Sequence, residues 1–251
     1  MNLVPIVFVA FFFSGYIFFD AMAVMARASA SAMGRNAFGA AIEKVMNTLK
    51  RTMIFFYPPI LGYFILTNDL SSIVLSIVSS YSIASILLTF LIVKRRFFLC
   101  YFCAVTTKFS NGASLLKSLA SRPGDNCNLE LNVGLSSRNE WLGIARINDV
   151  MKRPQLTILA SWLYFIFGAS IFAINILALT YSQYAPIILQ CLGLVNGLGT
   201  VILAFLVDPI VSRYLDASSE LDEISLTLLV AQLLACIAIA PVFFLVLLLL
   251  A

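Results

Sequence analysis

Long apolar stretches that carry few charges alternate with short polar connections along most of this chain. A bilayer core requires about 20 apolar residues in an α-helix, so each charge-poor stretch of that length is predicted to cross a membrane. The pattern predicts six spans, at about residues 3–26, 37–67, 70–93, 155–181, 185–207 and 224–251. We therefore expect an all-α fold, a polytopic bundle of about six membrane helices that forms one domain over residues 1–251.

The composition agrees with a membrane protein and removes several kinds of chemistry. Of the 251 residues, 61% are hydrophobic and 11% are charged, whereas a soluble domain is nearer half apolar and a quarter charged. The sequence has no histidine, so serine–histidine triads, cysteine–histidine pairs and histidine-rich metal sites are excluded. The five cysteines are odd in number, which argues against a disulfide framework. We also find no phosphate-binding glycine loop and expect no cofactor.

The first span has a second interpretation, a cleaved signal peptide, because small residues follow it at 28–32. A signal peptide would carry a basic leader before its apolar run, and this chain has none there. We therefore expect a helix that is retained in the membrane.

The Lys and Arg residues predict the orientation of the spans. All sixteen lie in three connections, which are residues 27–51, residues 94–153 and the segment after the fifth span. Since Lys and Arg concentrate on the cytoplasmic side of membrane proteins, these connections are expected inside and both termini outside. The net charge of +4 could instead indicate nucleic-acid binding, but the cations flank apolar runs, so no nucleic-acid partner is expected.

The connection at 94–153 is the longest polar part of the chain. Its first section, 97–119, begins with an aromatic run too short to cross a membrane and is predicted to be an interfacial helix. Residues 123–139 are rich in turn formers, and 140–153 carry apolar residues at helical spacing. We expect a cytoplasmic segment with two surface helices.

The segment 38–53 is sharply amphipathic when projected at 100° per residue. Its polar face carries Glu43, Lys44, Asn47, Thr48, Lys50 and Arg51. This helix either lies in the cytoplasmic interface, so that only 52–68 cross, or enters the bundle with Asp20 and Arg27 and lines a hydrophilic cavity. Ionisable groups inside a membrane usually face such cavities. Pro58–Pro59 is expected to kink or unwind the span that follows.

The fifth span adds a second group of polar residues. Asn196 stands beside Gly193 and Gly197, a spacing of small residues that permits close helix contact and a possible homodimer. Asp208-Pro209 then ends the span, with Arg213 and Asp216 beyond it. Asp208 is either part of an ordinary proline-marked helix end or an acid that faces the basic residues of 38–53 as a gate.

Two segments carry a more specific pattern of charges and small residues. The first comprises Asp20-Ala-Met-Ala-Val-Met-Ala-Arg27, then Gly34-Arg35-Asn-Ala37, Asn47 and Arg51-Thr52; the second comprises Val195-Asn196-Gly197-Leu-Gly-Thr200, Val207-Asp208-Pro209 and Asp216. This pattern resembles the Amj family of bacterial lipid II flippases. The resemblance implies that undecaprenyl-pyrophosphate-linked peptidoglycan precursor is moved from the inner to the outer face of the bacterial cytoplasmic membrane. It also implies roles for Arg27, Arg35, Arg51, Asn196 and Asp208.

The residues themselves are compatible with such a substrate. A lipid pyrophosphate is anionic and enters from the leaflet where the cations are expected, and arginine makes bidentate contacts with phosphate. An inside-negative potential favours outward movement of an anion, so no ATP site is required. A flippase for another polyprenyl-linked glycan, a small-molecule secondary transporter, a membrane lipid-phosphate enzyme and a non-transporting assembly partner remain alternatives.

Overall fold

Every regular element is helical in residues 3–120, 154–207, 209–212 and 221–250, the parts of the chain that the computed structural model describes. The expected all-α fold is therefore confirmed for these parts. The second predicted surface helix at 140–153 and the turn-rich residues 123–139 lie outside them.

The helices follow one another in the order that the apolar runs predict. The N-terminal half contains α1 (Leu3–Ala32), α2 (Asn36–Phe56), α3 (Pro58–Leu66), α4 (Leu70–Val93), α5 (Arg95–Ser110) and α6 (Leu115–Leu119). The C-terminal half contains α7 (Pro154–Thr180), a 3-10 turn (Ser182–Tyr184), α8 (Ala185–Ile202) with a π-helical turn (Leu203–Val207), α9 (Leu221–Leu234), a second π-helical turn (Ala235–Ile239) and α10 (Ala240–Leu250).

Five helices in the described residues are long and apolar enough to cross a membrane. They are Leu3–Ala32, Leu70–Val93, Pro154–Thr180, Ser182–Ser212 and Ile224–Leu249. Large apolar side chains such as Phe11, Ile86 and Leu245 are exposed on the outside of these helices, where hydrocarbon would cover them. The protein is membrane-embedded, while the number of crossings and their orientation stay predictions.

The expected second span is divided into two helices at Tyr57. Pro58 is the first residue of α3, a position whose backbone N–H would have no helical partner, so proline is tolerated there. The predicted break at Pro58–Pro59 is thus observed, and neither α2 nor α3 is among the five long apolar helices. Asn68 then adopts a positive φ of 52° in the turn before α4, a conformation that asparagine tolerates better than most residues.

α1 and α2 form an antiparallel hairpin. The turn contains Gly34 at a φ of 67°, which favours glycine. Near this turn the helices approach so closely that a Cβ on Gly39 would lie 2.5 Å from the Ala30 Cβ. At the far end the rings of Phe12 and Phe56 stack with centroids 4.8 Å apart. α2 therefore runs alongside α1 rather than across its end, and whether residues 38–53 lie in the cytoplasmic interface or enter the bundle stays a prediction.

The centre of the fold is a layer of buried rings around α1. Phe13 of α1 packs against Tyr57, Tyr81 and Phe172 with ring centroids 4.9 to 6.0 Å apart. These rings come from α1, the junction between α2 and α3, α4 and α7, and Phe244 of α10 closes the layer. Because helices in hydrocarbon gain little from the hydrophobic effect, close packing of this kind is a main source of their association.

α5 covers the end of the bundle where the α1–α2 turn lies. Phe38 and Phe109 pack edge to face at 5.4 Å, and the Cys103 Sγ lies 3.9 Å from the Ser29 carbonyl oxygen. Tyr101 donates a hydrogen bond to the Leu119 carbonyl oxygen at 2.6 Å, which joins α6 to α5. The helix predicted over 97–119 is present as these two shorter helices.

α8 lies at the edge of the fold and packs mainly on α7. A Cβ on Gly199 would lie 3.0 Å from the Phe167 ring, so this glycine permits the approach of the two helices. Gly193 and Gly197 are exposed, and added Cβ atoms there would meet no described atom within 4 Å. The predicted close contact through this pair is therefore not made within the described chain, and the homodimer stays a prediction.

Candidate functional site

A cavity of about 170 Å³ lies between α1, α2, α7, α9 and the end of the α8 segment. Its polar lining comprises Asp20, Arg27, Glu43, Asn47, Lys50 and Ser225. The remaining wall is apolar or aromatic and includes Val24, Leu163, Phe167, Val207 and Leu228. The cavity thus brings two acids and two bases together beside apolar side chains of α1, α7 and α9.

The four charged residues form two pairs between α1 and α2. Lys50 Nζ lies 2.5 Å from Asp20 Oδ1, and Arg27 Nε lies 3.7 Å from Glu43 Oε2. Arg27 follows Asp20 by seven residues and Lys50 follows Glu43 by seven, so both pairs obey the same antiparallel register. At 1.5 Å per residue the pairs are about 10 Å apart along the helices.

Two further hydrogen bonds tie this hairpin to the C-terminal half. Gln232 of α9 is almost completely buried, and its Nε2 donates to Asp20 Oδ2 at 2.5 Å. Arg27 Nη2 donates to Ser212 Oγ at 2.8 Å. Both carboxylate oxygens of Asp20 therefore accept hydrogen bonds, one from Lys50 on α2 and one from Gln232 on α9. These two donors are 182 residues apart in the sequence, the difference between positions 232 and 50.

Besides its ion pair with Asp20, Lys50 contacts an aromatic ring of α1. Its Nζ lies 5.2 Å from the centroid of the Tyr16 ring, within the range of a cation–π contact. Asp20 comes 17 residues after the start of α1, which places it about 26 Å along the helix. The ion pair is therefore close to one end of a hydrocarbon layer about 30 Å thick, if α1 begins at the opposite boundary.

The structure brings together only some of the residues that the sequence singled out. Asp20, Arg27, Glu43 and Asn47 all line the cavity. Lys44 and Arg51 are exposed on α2, and Arg35 lies in the α1–α2 turn directly before α2. The three arginines that match the Amj pattern are thus not gathered in one site.

Four other predicted positions fall outside what the structure describes. They are the side chain of Asn196 and all of Asp208, Arg213 and Asp216. The interpretation of Asp208 as a gate stays a prediction.

The sequence analysis missed Gln232, and it did not single out Ser225, Ser212 or Tyr16 either. Gln232 is the one Asn or Gln between residues 224 and 251, and a lone amide in such an apolar span is a usable signal for a buried polar contact. The sequence analysis placed Lys50 on the polar face of 38–53. It could not show that Lys50 pairs with Asp20, because that contact depends on the register of the α1–α2 hairpin.

The described residues contain no group of three or more Cys, Asp or Glu side chains placed to hold a metal ion. Comparison of the chain with family models, with curated proteins and with solved structures finds no match. The resemblance to the Amj family consequently rests on the residue pattern alone.

Proposed function

We propose that the protein is a membrane transporter for an anionic, phosphate-bearing lipid, and specifically a flippase for lipid II in the bacterial cytoplasmic membrane. The observation that carries this proposal is the cavity in which Arg27 and Lys50 are each held by an acid. A substrate phosphate would replace those acids as the partner of the two cations, and the arginine could contact it in bidentate fashion.

The surrounding helices suit a lipid cargo. The cavity wall is apolar outside its charged corner, so a head group could enter while the lipid chain remains in the bilayer. In this proposal the chain crosses the membrane about six times, with both termini outside and residues 94–153 in the cytoplasm. The cations of the cavity then lie toward the leaflet in which the precursor is made.

The volume of about 170 Å³ suits a phosphate-sized group and not a complete disaccharide-pentapeptide. The transport cycle therefore requires the cavity to open, and the Asp20–Lys50 and Arg27–Glu43 contacts are the links between α1 and α2 that must break. A flippase of this kind would alternate between the paired state described here and an open state in which the substrate holds the cations.

Reconstituted liposomes provide the test. Purified protein should move labelled lipid II from the inner to the outer leaflet without ATP, and Arg27→Ala and Lys50→Ala should abolish this movement. Lys44→Ala is the matched control, since it removes a cation from the same helix outside the cavity. Equal loss in all three variants would indicate a general effect of charge and would contradict the proposed site.

A small-molecule secondary transporter is the second candidate, and the size and balanced charge of the cavity favour it. Two acids and two bases in about 170 Å³ would suit a small ionic or zwitterionic solute. The same liposomes separate the two candidates, because a lipid flippase changes the leaflet of a labelled lipid and leaves the trapped solutes unchanged.

A further inference from the structure

A second hollow in the described part of the fold lies between α4 and the segment formed by the π-helical turn Ala235–Ile239 and α10. Its volume is about 490 Å³, and none of the described residues that line it carries a charge. It shares no lining residue with the charged cavity. This hollow, the α4–α10 groove, is therefore a separate site, and its walls suit an apolar ligand.

The α4–α10 groove has a buried floor and an exposed rim. In the floor, Tyr81, Cys236 and Phe244 are 7%, 3% and 4% exposed, and the rings of Tyr81 and Phe244 lie 5.9 Å apart. On the rim, Val78 and Ile237 are each 56% exposed. Because both walls belong to long apolar helices that can cross a membrane, the groove opens sideways, toward the hydrocarbon of the bilayer.

Local helix geometry explains why α4 and α10 leave this space open. α4 packs against α9 and the π-helical turn, in which the Ala240 N–H donates to the Ala235 carbonyl oxygen, five residues back instead of four. Pro241 follows directly and has no N–H, so the helix loses one more of its usual hydrogen bonds there. On the facing side of α4 the groove is lined by the small side chains of Ser82 and Ser85. A changed helix geometry thus meets small side chains, and neither fills the gap.

The α4–α10 groove is elongated along its two walls. Its lining extends from Val74 to Ser85 on α4 and from Cys236 to Leu248 on the facing segment. At 1.5 Å per residue these stretches are about 16 Å and about 18 Å long. A bilayer core is about 30 Å thick, so the groove has about the length of the hydrocarbon of one leaflet.

The width of the groove decides between a helix and a single chain as the ligand. A volume of about 490 Å³ divided by a length of about 17 Å gives a cross-section of about 29 Å², which is about 6 Å across. An α-helix with its side chains is about 10–12 Å wide and does not fit, whereas one extended hydrocarbon chain does. Water would not fill the space, because the apolar walls offer it few hydrogen bonds. A single flexible apolar chain thus suits the groove in length, width and chemistry.

We propose that the α4–α10 groove binds one acyl chain of a bilayer phospholipid. The chain lies along α4 and α10, with its methylene groups on the floor that contains Tyr81 and Phe244. It supplies the dispersion contacts that an empty gap between the helices would lose. The bound lipid therefore holds α10 against α4 in the folded protein. This site does not depend on the proposed transport, because the charged cavity has different walls.

Photolabelling can locate the bound chain. Detergent-solubilised protein is titrated with phosphatidylethanolamine that carries a diazirine in one acyl chain, irradiated and digested, and mass spectrometry identifies the labelled residues. Labelling of the rim residues Val78, Ile237 and Leu245 should saturate as lipid is added. Labelling of Ile86, which is exposed on α4 outside the groove, should rise without saturation.

Two serines of α4 provide a matched pair of variants. Ser85→Leu should reduce labelling of the rim several-fold, because the larger side chain occupies the groove, whereas Ser79→Leu should keep the wild-type labelling. In both serines the hydroxyl donates to the carbonyl oxygen four residues earlier on α4, and of the two only Ser85 lines the groove. Ser82→Leu changes an exposed residue of the groove and gives the second test if Ser85→Leu does not fold.

The proposal is wrong if the rim and Ile86 are labelled alike at every lipid concentration, or if folded Ser85→Leu and Ser82→Leu keep the wild-type labelling. Undecaprenyl phosphate that displaces the label at far lower concentration than unlabelled phosphatidylethanolamine would also overturn it, and would assign the groove to the chain of the proposed cargo. Failure of lipid II movement in liposomes would leave the phospholipid site standing, so the two proposals fail separately.

Discussion

Lys50 Nζ lies 2.5 Å from Asp20 Oδ1, although 30 residues separate the two in the chain. The contact exists because the turn after α1 reverses the chain and sets the register of α2. An ion pair in a medium of low dielectric is favourable only when its remaining hydrogen-bonding groups are also satisfied, and Gln232 supplies such a bond to Asp20. Three helices therefore depend on one carboxylate.

Removal of Lys50 should destabilise the fold. Lys50→Met leaves the Asp20 carboxylate without its cation in a mostly buried position, a change that costs about 3 kcal/mol. Thermal unfolding of the detergent-solubilised protein should show a clear decrease in Tm. Lys44→Met changes an exposed residue of the same helix and should leave Tm nearly unchanged. If the two variants have the same Tm, the pair does not hold the hairpin.

Replacement of arginine by lysine should impair transport when it affects the cavity residue Arg27, and not when it affects an arginine of the Amj pattern outside the cavity. Arg27 uses two nitrogens at once, toward Ser212 and Glu43, which an ammonium group cannot reproduce in the same geometry. We expect Arg27→Lys to impair lipid transport at normal membrane abundance, while Arg51→Lys keeps full activity. Transport assays on equal amounts of inserted protein make this comparison, and full activity of Arg27→Lys would leave a topological role only.

Gly39 should be essential for the close contact of α1 and α2. A methyl group there would lie 2.5 Å from the Ala30 Cβ, so Gly39→Ala should force the helices apart and cost about 1–3 kcal/mol. Gly62→Ala on α3 is the control, because its Cβ would meet no described atom within 4 Å. Unfolding temperatures should decrease for the first variant and remain or increase for the second. The opposite order would contradict the packing of the hairpin.

The cap of α4 should make stability depend on pH in the acidic range. Hydrogen bonds from the Ser72 side chain, then from the Ser71 side chain and the Ser72 backbone, lower the pKa of Asp69. Since the folded pKa is below the unfolded one, the stabilisation is complete above about pH 4 and is lost as the pH falls through the folded pKa. Asp69→Asn should remove this part of the acid dependence in unfolding experiments between pH 2 and 5, values of about the range in which aspartate titrates. An unchanged profile would show that the cap does not contribute.

The predicted orientation can be tested with single cysteines in an otherwise cysteine-free protein. A membrane-impermeant thiol reagent applied from outside should label Ser71→Cys, which follows the expected outer turn, and should not label Ser136→Cys. After permeabilisation Ser136→Cys should react. Labelling of Ser136→Cys in intact cells would reverse the topology and with it the assignment of the cavity to the inner leaflet.

Apolar length was sufficient to locate most of the helices. The stretch 70–93 corresponds to Leu70–Val93, and 155–181 corresponds to Pro154–Thr180 within one residue. The first helix extends past its apolar run to Ala32, because residues 27–32 are mostly small, favour a helix and pack beside α5. The proline pair predicted the break near residue 58, but not that two helices too short or too polar to qualify as spans would result.

The contacts within the site could not be predicted from local sequence patterns, because they depend on how distant helices pack together. The amphipathic pattern of 38–53 showed which residues share a face, yet the partner of that face depends on the register set by the turn at Gly34. Gln232 meets Asp20 only through the packing of α9 on α1. The π-helical turn Ala235–Ile239 has no composition that distinguishes it from the apolar helix around it.

The charges of the cavity have the same order on both of its helices. Asp20 precedes Arg27 on α1, and Glu43 precedes Lys50 on α2, so reversal of the chain relates the two pairs by an approximate two-fold rotation. The dipole of one pair consequently points from α1 to α2, and that of the other points back. Their distant fields largely cancel, and the resting site offers little for a transmembrane voltage to act upon. If the protein is the proposed flippase, an anion bound between the pairs ends this cancellation. The loaded site would then respond to a membrane voltage, whereas the empty site would not.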